Sequence, residues 1–460
     1  MPDLMATLVE HVSRTTFSDL PPAAVDYAKR SIIDTIAVTI AGSSAEGCRE
    51  VVELVKEWGG KEESTIWVYG GRVPATLAGL AIGPMARARD FGDVHEGGGL
   101  HITEYVLPTL LPVAERQGRI SGKDFLTALA LAQDVGIRLQ ASVVRDASAT
   151  RGTLARVFGP TAGAAKLLGL DEGTMMNAMG IAYAQAAGES QAFKDGALTV
   201  RMAHGFVADA AIKSVLLAER GITGARNILQ GEYGFYNAFE PKHDLERLTD
   251  GLGKRFEGAY ASMKPYPCCK LTHGAINAAI YLVKEHDIAP TDVAEIDVGV
   301  GERAYVFVCE PKEEKGNPQN TVDCQFSIPY TVATAVVKRS VFIDDFTEAA
   351  IRRPDVRELL RKVRTRVEPQ VVKPDNKVGG AAVTIRTKDG NEYSRTVYYV
   401  KGHPKNPMTM NDVTDKLRKC LPFSARPLPA QAVEKIIELV GSLEQVDDVT
   451  RIVRLLAPEA

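Results

Sequence analysis

The ten residues from Lys264 to His273 concentrate groups that can bind an anion and move a proton. They read KPYPCCKLTH, so that Lys264 and Lys270 stand close in sequence to a single histidine. Thr272 is placed to cap a helix whose apolar spacing begins at His273. A helix start disfavours a charged imidazole, so a neutral His273 beside two ammonium groups suits proton transfer on an anionic substrate. The alternative is a proline-stiffened hinge whose thiols act as small apolar groups.

A second polar cluster lies in the stretch RARDFGDVHEGGGLH, residues 87–101. Asp90 and His101 stand near its two ends, and the glycines between them let the backbone approach a ligand closely. Carboxylates and imidazoles in one loop can exchange protons or hold a metal, although the spacing matches no specific metal motif. The alternative is a polar loop between helices, held by ordinary salt bridges.

Two further segments carry candidate binding groups. Arg201 lies near the start of a predicted helix and can hold a carboxylate through two parallel hydrogen bonds. His204 follows it, either as a substrate contact or as a core histidine bonded to a backbone carbonyl. Tyr330, in the segment FSIPY, can donate a proton or bind a carboxylate, but it can equally be a core tyrosine with its hydroxyl satisfied.

Composition and motifs exclude several classes of function. The 460 residues carry a formal charge of -3 with no basic run, which argues against a nucleic-acid surface. The sequence shows no apolar stretch long enough for a membrane span and no secretory signal, so we expect a cytoplasmic protein. It contains no dinucleotide fingerprint, P-loop or GxSxG motif. We therefore expect proton abstraction next to a carboxylate, followed by elimination, decarboxylation or epimerisation.

The six cysteines support neither a metal site nor a disulfide framework. Only Cys268 and Cys269 are close in sequence, and adjacent cysteines cannot ligate a metal as a CxxC pair does. We expect no metal ligands and reduced thiols throughout.

The elements that must position these groups fall into two kinds. Up to about residue 260 the apolar spacing predicts one helix after another, with Pro22, Ser121, Pro160 and Asp171 as helix starts and Gly221 as a stop. From His273 the pattern predicts a helix to Glu285, a strand in VAEIDVGVG, and helices at about 326–337 and 345–363. Two alternating strands around Asp389-Gly390 predict a hairpin.

These elements predict a mainly α protein with an α+β part. The expected domains are an all-helical domain of residues 1–266 and 403–460, and a smaller α+β lid of residues 267–402 with helices on one face of an antiparallel sheet. A cleft between two such domains is a common ligand site.

Together these segments resemble the MmgE/PrpD family over essentially the whole chain. The motifs that carry the resemblance are ARDFGDVHEGGGLH, VFGPTAGAAKLLGL, AERGITGARNILQGEYGF, KPYPCCKLTHGAINAA, FSIPYTVATA and GHPKNPMT. The family includes 2-methylcitrate dehydratase, cis-aconitate decarboxylase and iminodisuccinate epimerase. The resemblance implies a large helical domain built from both chain ends, a smaller lid, a homodimer, and catalysis without a metal or organic cofactor in a site between the domains.

Site residues carry over by motif. Asp90 matches the aspartate that opens the family's DFDD-type loop, and His101 the histidine that ends it. His273 matches the histidine of the CCxxTH segment, with Lys264 and Lys270 as its neighbours. Tyr330 matches the tyrosine of the FSxxY pattern.

The chain departs from the decarboxylase pattern at three places. Gly92 stands where DFDD has its second acid. Thr150-Arg151 replace a His-Pro pair, and Val200-Arg201 stand where those enzymes have a lysine shortly before a histidine. Arg201 could bind a carboxylate but could not shuttle a proton, because guanidinium stays protonated.

The leading hypothesis is a cofactor-independent lyase, a dehydratase or decarboxylase, acting on a small di- or tricarboxylic acid. His101 and His273 would be its acid/base pair, Asp90 would orient a histidine, and Tyr330 would assist proton delivery. The substrate's carboxylates would bind the side chains of Arg201, His204, Lys264 and Lys270. One alternative is an epimerase of an iminodisuccinate-like dicarboxylate, with two histidines on opposite faces of one carbon. The other is a homodimer that binds a metabolite and has lost catalysis.

Overall fold

The chain forms two compact units in a computed structural model that describes residues 3–97, 100–144, 154–188, 191–374, 376 and 378–457. The first unit comprises Met1–Met263 and Met408–Ala460, and the second comprises Lys264–Pro407. The first is almost entirely helical, whereas the second combines helices with a sheet, which confirms the predicted mainly α class with an α+β part. Among the described residues, no helix is both long and apolar enough to cross a membrane.

The N-terminal segment of the first unit is a succession of helices. They are α1 (Leu4–Arg14), α2 (Pro22–Gly42), α3 (Cys48–Trp58), α4 (Ala75–Arg87), α5 (Thr103–Gln117), α6 (Gly122–Ala141), α7 (Phe158–Leu167), α8 (Glu172–Ala184), α9 (Gln191–Asp195), α10 (Thr199–Glu219), α11 (Phe235–Phe239) and α12 (Glu246–Thr249). Strands β1 (Ser64–Thr65) and β2 (Arg72–Val73) form one short antiparallel ladder between α3 and α4.

Most of the predicted boundaries in this segment are confirmed. Helix α2 begins at Pro22, while Ser121 and Asp171 cap α6 and α8 by accepting a backbone N–H with their side chains. Gly221 follows α10 with a φ of 85°, which ends the helix. The predicted start at Pro160 is wrong, since α7 begins at Phe158. A proline in the first turn of a helix loses no intrahelical hydrogen bond, so it does not mark the first residue.

Close helix contacts build the core of the first unit. Helix α2 is buried continuously over residues 31–42. Helices α4 and α10 meet at Gly83 and Gly205, where a Cβ on Gly83 would lie only 2.4 Å from the Gly205 nitrogen. The absence of side chains lets the two backbones touch, and this contact fixes the helix that carries His204 against the helix that leads to Asp90.

The second unit places helices beside a four-stranded sheet. Its helices are α13 (His273–Glu285), α14 (Glu302–Val308), α15 (Lys312–Lys315), α16 (Thr321–Gln325), α17 (Ile328–Lys338), α18 (Glu348–Ile351) and α19 (Pro354–Leu360). Its strands are β3 (Val293–Val300), β4 (Val363–Val367), β5 (Ala381–Thr387) and β6 (Glu392–Val397), in the order β4-β3-β5-β6. The predicted hairpin around Asp389-Gly390 is confirmed by the antiparallel pairing of β5 and β6.

Three predictions for the second unit are wrong. The sheet was predicted to be antiparallel, but it is mixed, because β3 and β4 run parallel. The helices between these two strands return the chain to the end of the sheet at which β3 began. The single helix predicted for 345–363 is broken before Pro354, since a residue that precedes proline avoids the helical conformation, and β4 already begins at Val363. Thr272 does not cap α13, because a 3₁₀ turn over Lys270–Thr272 leads directly into the helix.

The C-terminal segment returns to the first unit. It forms α20 (Met410–Cys420), α21 (Ala430–Gly441) and α22 (Thr450–Leu456). Helix α20 begins with a capping box, in which Thr409 and Asp412 each bond the other's backbone N–H. It packs against α2 and places Lys416 below the loop that carries Asp90.

Candidate active site

Asp90 is held at the end of α4 by an ion pair and by an uncommon backbone conformation. Arg87, the last residue of α4, donates from Nη1 to Asp90 Oδ1 at 2.5 Å, and both side chains are buried. Asp90 has a φ of 49°, in the left-handed region that aspartate tolerates better than most residues. The carboxylate direction is therefore fixed by both the turn and the guanidinium.

His101 faces Asp90 with a defined tautomer. Its Nδ1 lies 3.0 Å from the Asp93 carbonyl oxygen, which can only accept a hydrogen bond, so Nδ1 carries the proton. The other nitrogen, Nε2, lies 3.8 Å from Asp90 Oδ1. A neutral His101 therefore presents Nε2 as its basic nitrogen, and an imidazolium formed there would be stabilised by the Asp90 carboxylate. The side chain is 18% exposed, which leaves it within reach of solvent.

Asp93 locks the loop onto the start of α5. Its Oδ1 accepts the Thr103 backbone N–H at 3.0 Å, and its Oδ2 accepts the hydroxyls of Thr103 and Tyr27. Burial raises the pKa of this carboxyl, and the hydrogen bonds from Thr103 and Tyr27 act in the opposite direction. Asp93 thus positions the carbonyl that sets the His101 tautomer.

Glu104 joins the two histidines of the first unit, and the sequence analysis did not identify it. The side chain is fully buried in the first turn of α5. Its Oε1 accepts the Gly92 N–H at 2.8 Å, while Oε2 lies 3.4 Å from His204 Nδ1 and 3.8 Å from His101 Nδ1. The one available sequence signal was the three-residue spacing of His101 and Glu104 at a predicted helix start.

His204 is a buried, neutral histidine. It lies on α10, 1% exposed, with its ring edge-on to Tyr105 at 5.2 Å. Burial lowers its pKa well below 6.5, and the nearby positive charges of Arg156, Arg87 and His101 lower it further. Its predicted role was substrate binding, and the structure brings it into the Asp90–His101 cluster through Glu104.

A cavity of about 230 Å³ opens beside this cluster in the first unit. Arg87 and Arg156 line it together with apolar positions of α10, among them Val200, Ala203 and Val207. Arg87 therefore connects the cavity to Asp90, and through Asp90 to His101. An apolar chamber with guanidinium groups in its wall suits a small anion that also has hydrocarbon parts.

Arg201 lies on another face of α10. Its Nη1 donates to the Glu46 backbone carbonyl, and Arg201 is not among the lining residues of the cavity. The structure therefore does not bring Arg201 to the His101 cluster, and its predicted carboxylate contact stays a prediction. Arg156, which the sequence analysis did not single out, lies in that wall. Thr150 and Arg151, two further departures from the family pattern, lie outside the described residues.

The remaining histidine of interest begins α13 in the second unit. His273 is fully buried, its Nε2 lies 3.1 Å from the Cys268 carbonyl, and its ring is edge-on to Tyr266 at 5.2 Å. Because a carbonyl only accepts, Nε2 carries the proton and Nδ1 is the basic nitrogen. Lys270 begins the preceding 3₁₀ turn and Lys264 begins the unit, and both are buried.

Cys268 and Tyr330 belong to the core of the second unit. Cys268 packs in its apolar cluster, with Sγ 3.1 Å from Thr272 Oγ1. Tyr330 donates its hydroxyl to the Asp345 carbonyl at 2.5 Å, and burial raises its pKa. These contacts favour the core interpretation of Tyr330, while its catalytic role stays a prediction.

His95 and Glu96, which follow Asp93 in the loop, are both buried. Glu96 accepts the Ser262 hydroxyl at 2.5 Å, and burial lowers the pKa of His95 to about 4. Within the described part of the chain, no three His, Cys, Asp or Glu side chains converge as metal ligands would.

Both halves of the chain match one protein family. Residues 6–248 match the MmgE/PrpD N-terminal domain, and residues 266–445 match the MmgE/PrpD C-terminal domain. The chain belongs to the MmgE/PrpD family. The predicted family is thus confirmed, and its two matched domains contain the His101 and His273 segments respectively.

Three proteins to which the chain is similar have names that refer to cis-aconitate decarboxylase. The chain is 26% identical to the cis-aconitate decarboxylase-like protein oryM of Aspergillus oryzae, over 99% of this chain and 98% of the relative. It is 26% identical to the cis-aconitate decarboxylase of Aspergillus terreus, over 98% and 95%. It is also 26% identical to the human cis-aconitate decarboxylase, over 95% and 91%.

Proposed function

We propose that this protein is a lyase that removes water or CO2 from a small di- or tricarboxylic acid without a metal or organic cofactor. Family membership and relatives named cis-aconitate decarboxylase support a lyase. The observation that carries the proposal is the orientation of His101. Its basic Nε2 faces Asp90, and Asp90 is tied through Arg87 to a cavity that suits a carboxylate.

His101 would exchange the proton, and Asp90 would stabilise its charged form. In a dehydration, Nε2 takes the proton from the carbon next to a carboxylate, and the C–H electrons form a double bond. The hydroxide that leaves takes that proton back from His101 as water. In a decarboxylation, the C–C electrons stay on carbon as CO2 departs, and this carbon takes a proton from the His101 imidazolium. Both reactions need one imidazole that gains and loses a proton beside a fixed carboxylate.

The carboxylate of the substrate would bind in the cavity that Arg156 and Arg87 line. Arg156 lies in the cavity wall with the apolar positions of α10, and we assign its guanidinium to the substrate's carboxylate. His273 is the second proposed acid/base histidine, and Lys264 and Lys270 are proposed carboxylate contacts. These three assignments come from the family's CCxxTH segment and its neighbouring lysines, and all three side chains are buried near the start of the second unit.

The experiment is to incubate the full-length protein in D2O with a panel of di- and tricarboxylic acids and to follow each acid by NMR. Loss of water or CO2 from one acid is the expected result. His101→Asn and His273→Asn should each lower that rate by about 100-fold or more. His286→Asn, at the partly exposed end of α13, is the matched control and should leave the rate unchanged.

Other outcomes would identify the alternatives. Deuterium exchange at one carbon without loss of water or CO2 would replace the lyase by an epimerase. Selective binding of an acid with no exchange and no product would indicate a metabolite-binding protein without catalysis. A fully active variant that carries both His101→Asn and His273→Asn would contradict the assignment of the acid/base groups.

A further inference from the structure

Gly92 and Glu104 occupy one space in the loop that carries Asp90. A Cβ built on Gly92 would lie 2.2 Å from Glu104 Oε1 and 2.5 Å from its Cγ. The backbone of Gly92 lies outside the left-handed region, so its conformation does not require glycine. Glycine is needed here because the Glu104 carboxylate fills the volume into which a side chain at 92 would project.

The Glu104 carboxylate is anchored through its Oε1 atom. Its Oε1 accepts the Gly92 backbone N–H. Gly92 therefore makes room for the Glu104 carboxylate and also holds it by a hydrogen bond. Its position in the first turn of α5 places a negative charge where the helix dipole favours it. Full burial and these contacts leave its other oxygen, Oε2, directed at two imidazoles.

We propose that Glu104 is the positioning residue for His101 and His204, and that in this chain it supplies the carboxylate that a side chain at position 92 would otherwise carry. The expected effect on turnover rests on the proposed function, whereas the effect on the two imidazoles does not. Glu104 itself touches no reacting atom in this proposal.

Glu104 acts on the two rings through their Nδ1 atoms. A negative Oε2 favours the proton on His204 Nδ1, which keeps that buried ring in one neutral tautomer. The same oxygen lies 3.8 Å from His101 Nδ1, the atom that already donates to the Asp93 carbonyl. Glu104 therefore helps to keep the proton on Nδ1, which leaves Nε2 of His101 as the base that faces Asp90.

Four variants separate charge, volume and position. Glu104→Gln keeps the size of the side chain and removes its charge, and Glu104→Ala removes both. The double variant Gly92→Asp/Glu104→Ala returns a carboxylate from the other side of the contact. Glu115→Gln is the matched control, because Glu115 lies on the same helix and also accepts a backbone N–H, that of Thr65 at 2.8 Å.

Turnover measures the consequence for the reaction. Glu104→Gln should lower kcat by about 100-fold with KM changed by less than about threefold, since the acid/base group loses its orientation while the carboxylate contacts remain. The kcat of the Gly92→Asp/Glu104→Ala variant should be at least about tenfold higher than that of Glu104→Ala. Glu115→Gln should leave kcat and KM unchanged.

The imidazole nitrogens give a readout that does not depend on turnover. The chain has eight histidines, so ¹⁵N-histidine labelling gives a spectrum that single substitutions can assign. In the wild type the His101 and His204 signals should both be those of the Nδ1–H tautomer. Glu104→Ala and Glu104→Gln should shift the His204 signals toward the other tautomer, the double variant should restore them, and Glu115→Gln should leave them unchanged.

Each result decides the proposal. Unchanged His101 and His204 signals in Glu104→Gln would overturn the positioning role, and Glu104→Gln carries the test even if Glu104→Ala fails to fold. If Glu104→Ala changes the histidine signals and the double variant does not restore them, Glu104 does not take the place of a carboxylate at position 92. If no acid in the panel is turned over, the proposed function fails, while the histidine signals still decide the role of Glu104.

Discussion

Lys416 and Asp34 form a buried ion pair that joins the C-terminal segment to the central helix of the first unit. Lys416 Nζ lies 2.7 Å from Asp34 Oδ1, and the two side chains are 4% and 0% exposed. The same Nζ donates to the Phe91 carbonyl at 2.7 Å and lies 3.7 Å from the centroid of the Phe91 ring. One ammonium group from α20 therefore fixes the backbone between Asp90 and Gly92.

Lys416→Met should destabilise the protein strongly. The change removes the cation that pairs with the fully buried Asp34 carboxylate, and breaking a buried ion pair costs about 3–5 kcal/mol. Urea unfolding at pH 7 measures the loss. Arg418→Met is the matched control, because Arg418 pairs with Glu434 at the surface of the same helix and should cost at most about 1 kcal/mol. Equal losses in the two variants would contradict the importance of the buried pair.

The sequence predicted those parts of the fold that depend on local signals. Pro22, Ser121 and Asp171 mark helix starts because a helix end must satisfy its own backbone groups within a few residues. The Asp389-Gly390 turn joins neighbouring strands for a similarly local reason. The parallel pairing of β3 with β4 joins strands about sixty residues apart and could not be read from either strand alone.

In the candidate site, too, residues close in sequence were identified and those that depend on long-range packing were missed. Asp90 and His101 lie in one loop, but their residue types also fitted a polar loop held by salt bridges, and their predicted roles came from the resemblance to the MmgE/PrpD family. Glu104 was missed because nothing in a helical pattern says which polar residue is buried beside which partner. Arg156 was missed for a related reason. The sequence contains many arginines, and only the packing of α10 shows which of them lines the cavity.

Gly83→Ala should destabilise the first unit by forcing α4 and α10 apart. The added Cβ would lie 2.4 Å from the Gly205 nitrogen and 2.6 Å from its Cα, which are backbone atoms that cannot rotate away. Such overpacking costs about 1–3 kcal/mol. The control is Gly441→Ala near the end of α21, where a Cβ meets no atom within 4 Å and should be neutral or stabilising by up to about 1 kcal/mol. Thermal unfolding distinguishes the two variants, and a neutral Gly83→Ala would contradict the close helix contact.

His95 should make the fold less stable as the pH falls below 6.5. Burial lowers its pKa to about 4, from 6.5 for an ordinary histidine, with opposing effects of Glu96 and Arg255. Between these values the unfolded chain binds a proton that the folded chain does not, so stability falls as pH falls. The slope from this residue approaches about 1.4 kcal/mol per pH unit, or about 3 kcal/mol over the whole range.

The variant His95→Asn isolates this contribution. Urea unfolding of both proteins at several values between pH 8 and pH 4.5 gives the two pH dependences. The curves should run parallel above pH 7, where the histidine is neutral in both states, because the substitution then changes stability by a constant amount. Below pH 6.5 the wild type should lose stability more steeply than the variant. Parallel curves over the whole range would show that His95 takes up its proton equally in the folded and unfolded chain.

Arg156→Gln should weaken carboxylate binding, whereas Arg201→Gln should not. A charged hydrogen bond is worth about 1.5–3 kcal/mol, so the loss of the Arg156 guanidinium should raise the Kd of the best-binding acid by about 10-fold to 100-fold. Arg201 donates to the Glu46 carbonyl, and its change to Gln should alter Kd by less than about twofold. Calorimetry with the acid that stabilises the wild type most gives both values.

Arg156→Lys tests geometry, because it keeps the charge and loses the planar donor pair. A larger effect of Arg201→Gln than of Arg156→Gln would restore the sequence-based assignment and remove the cavity as the carboxylate site.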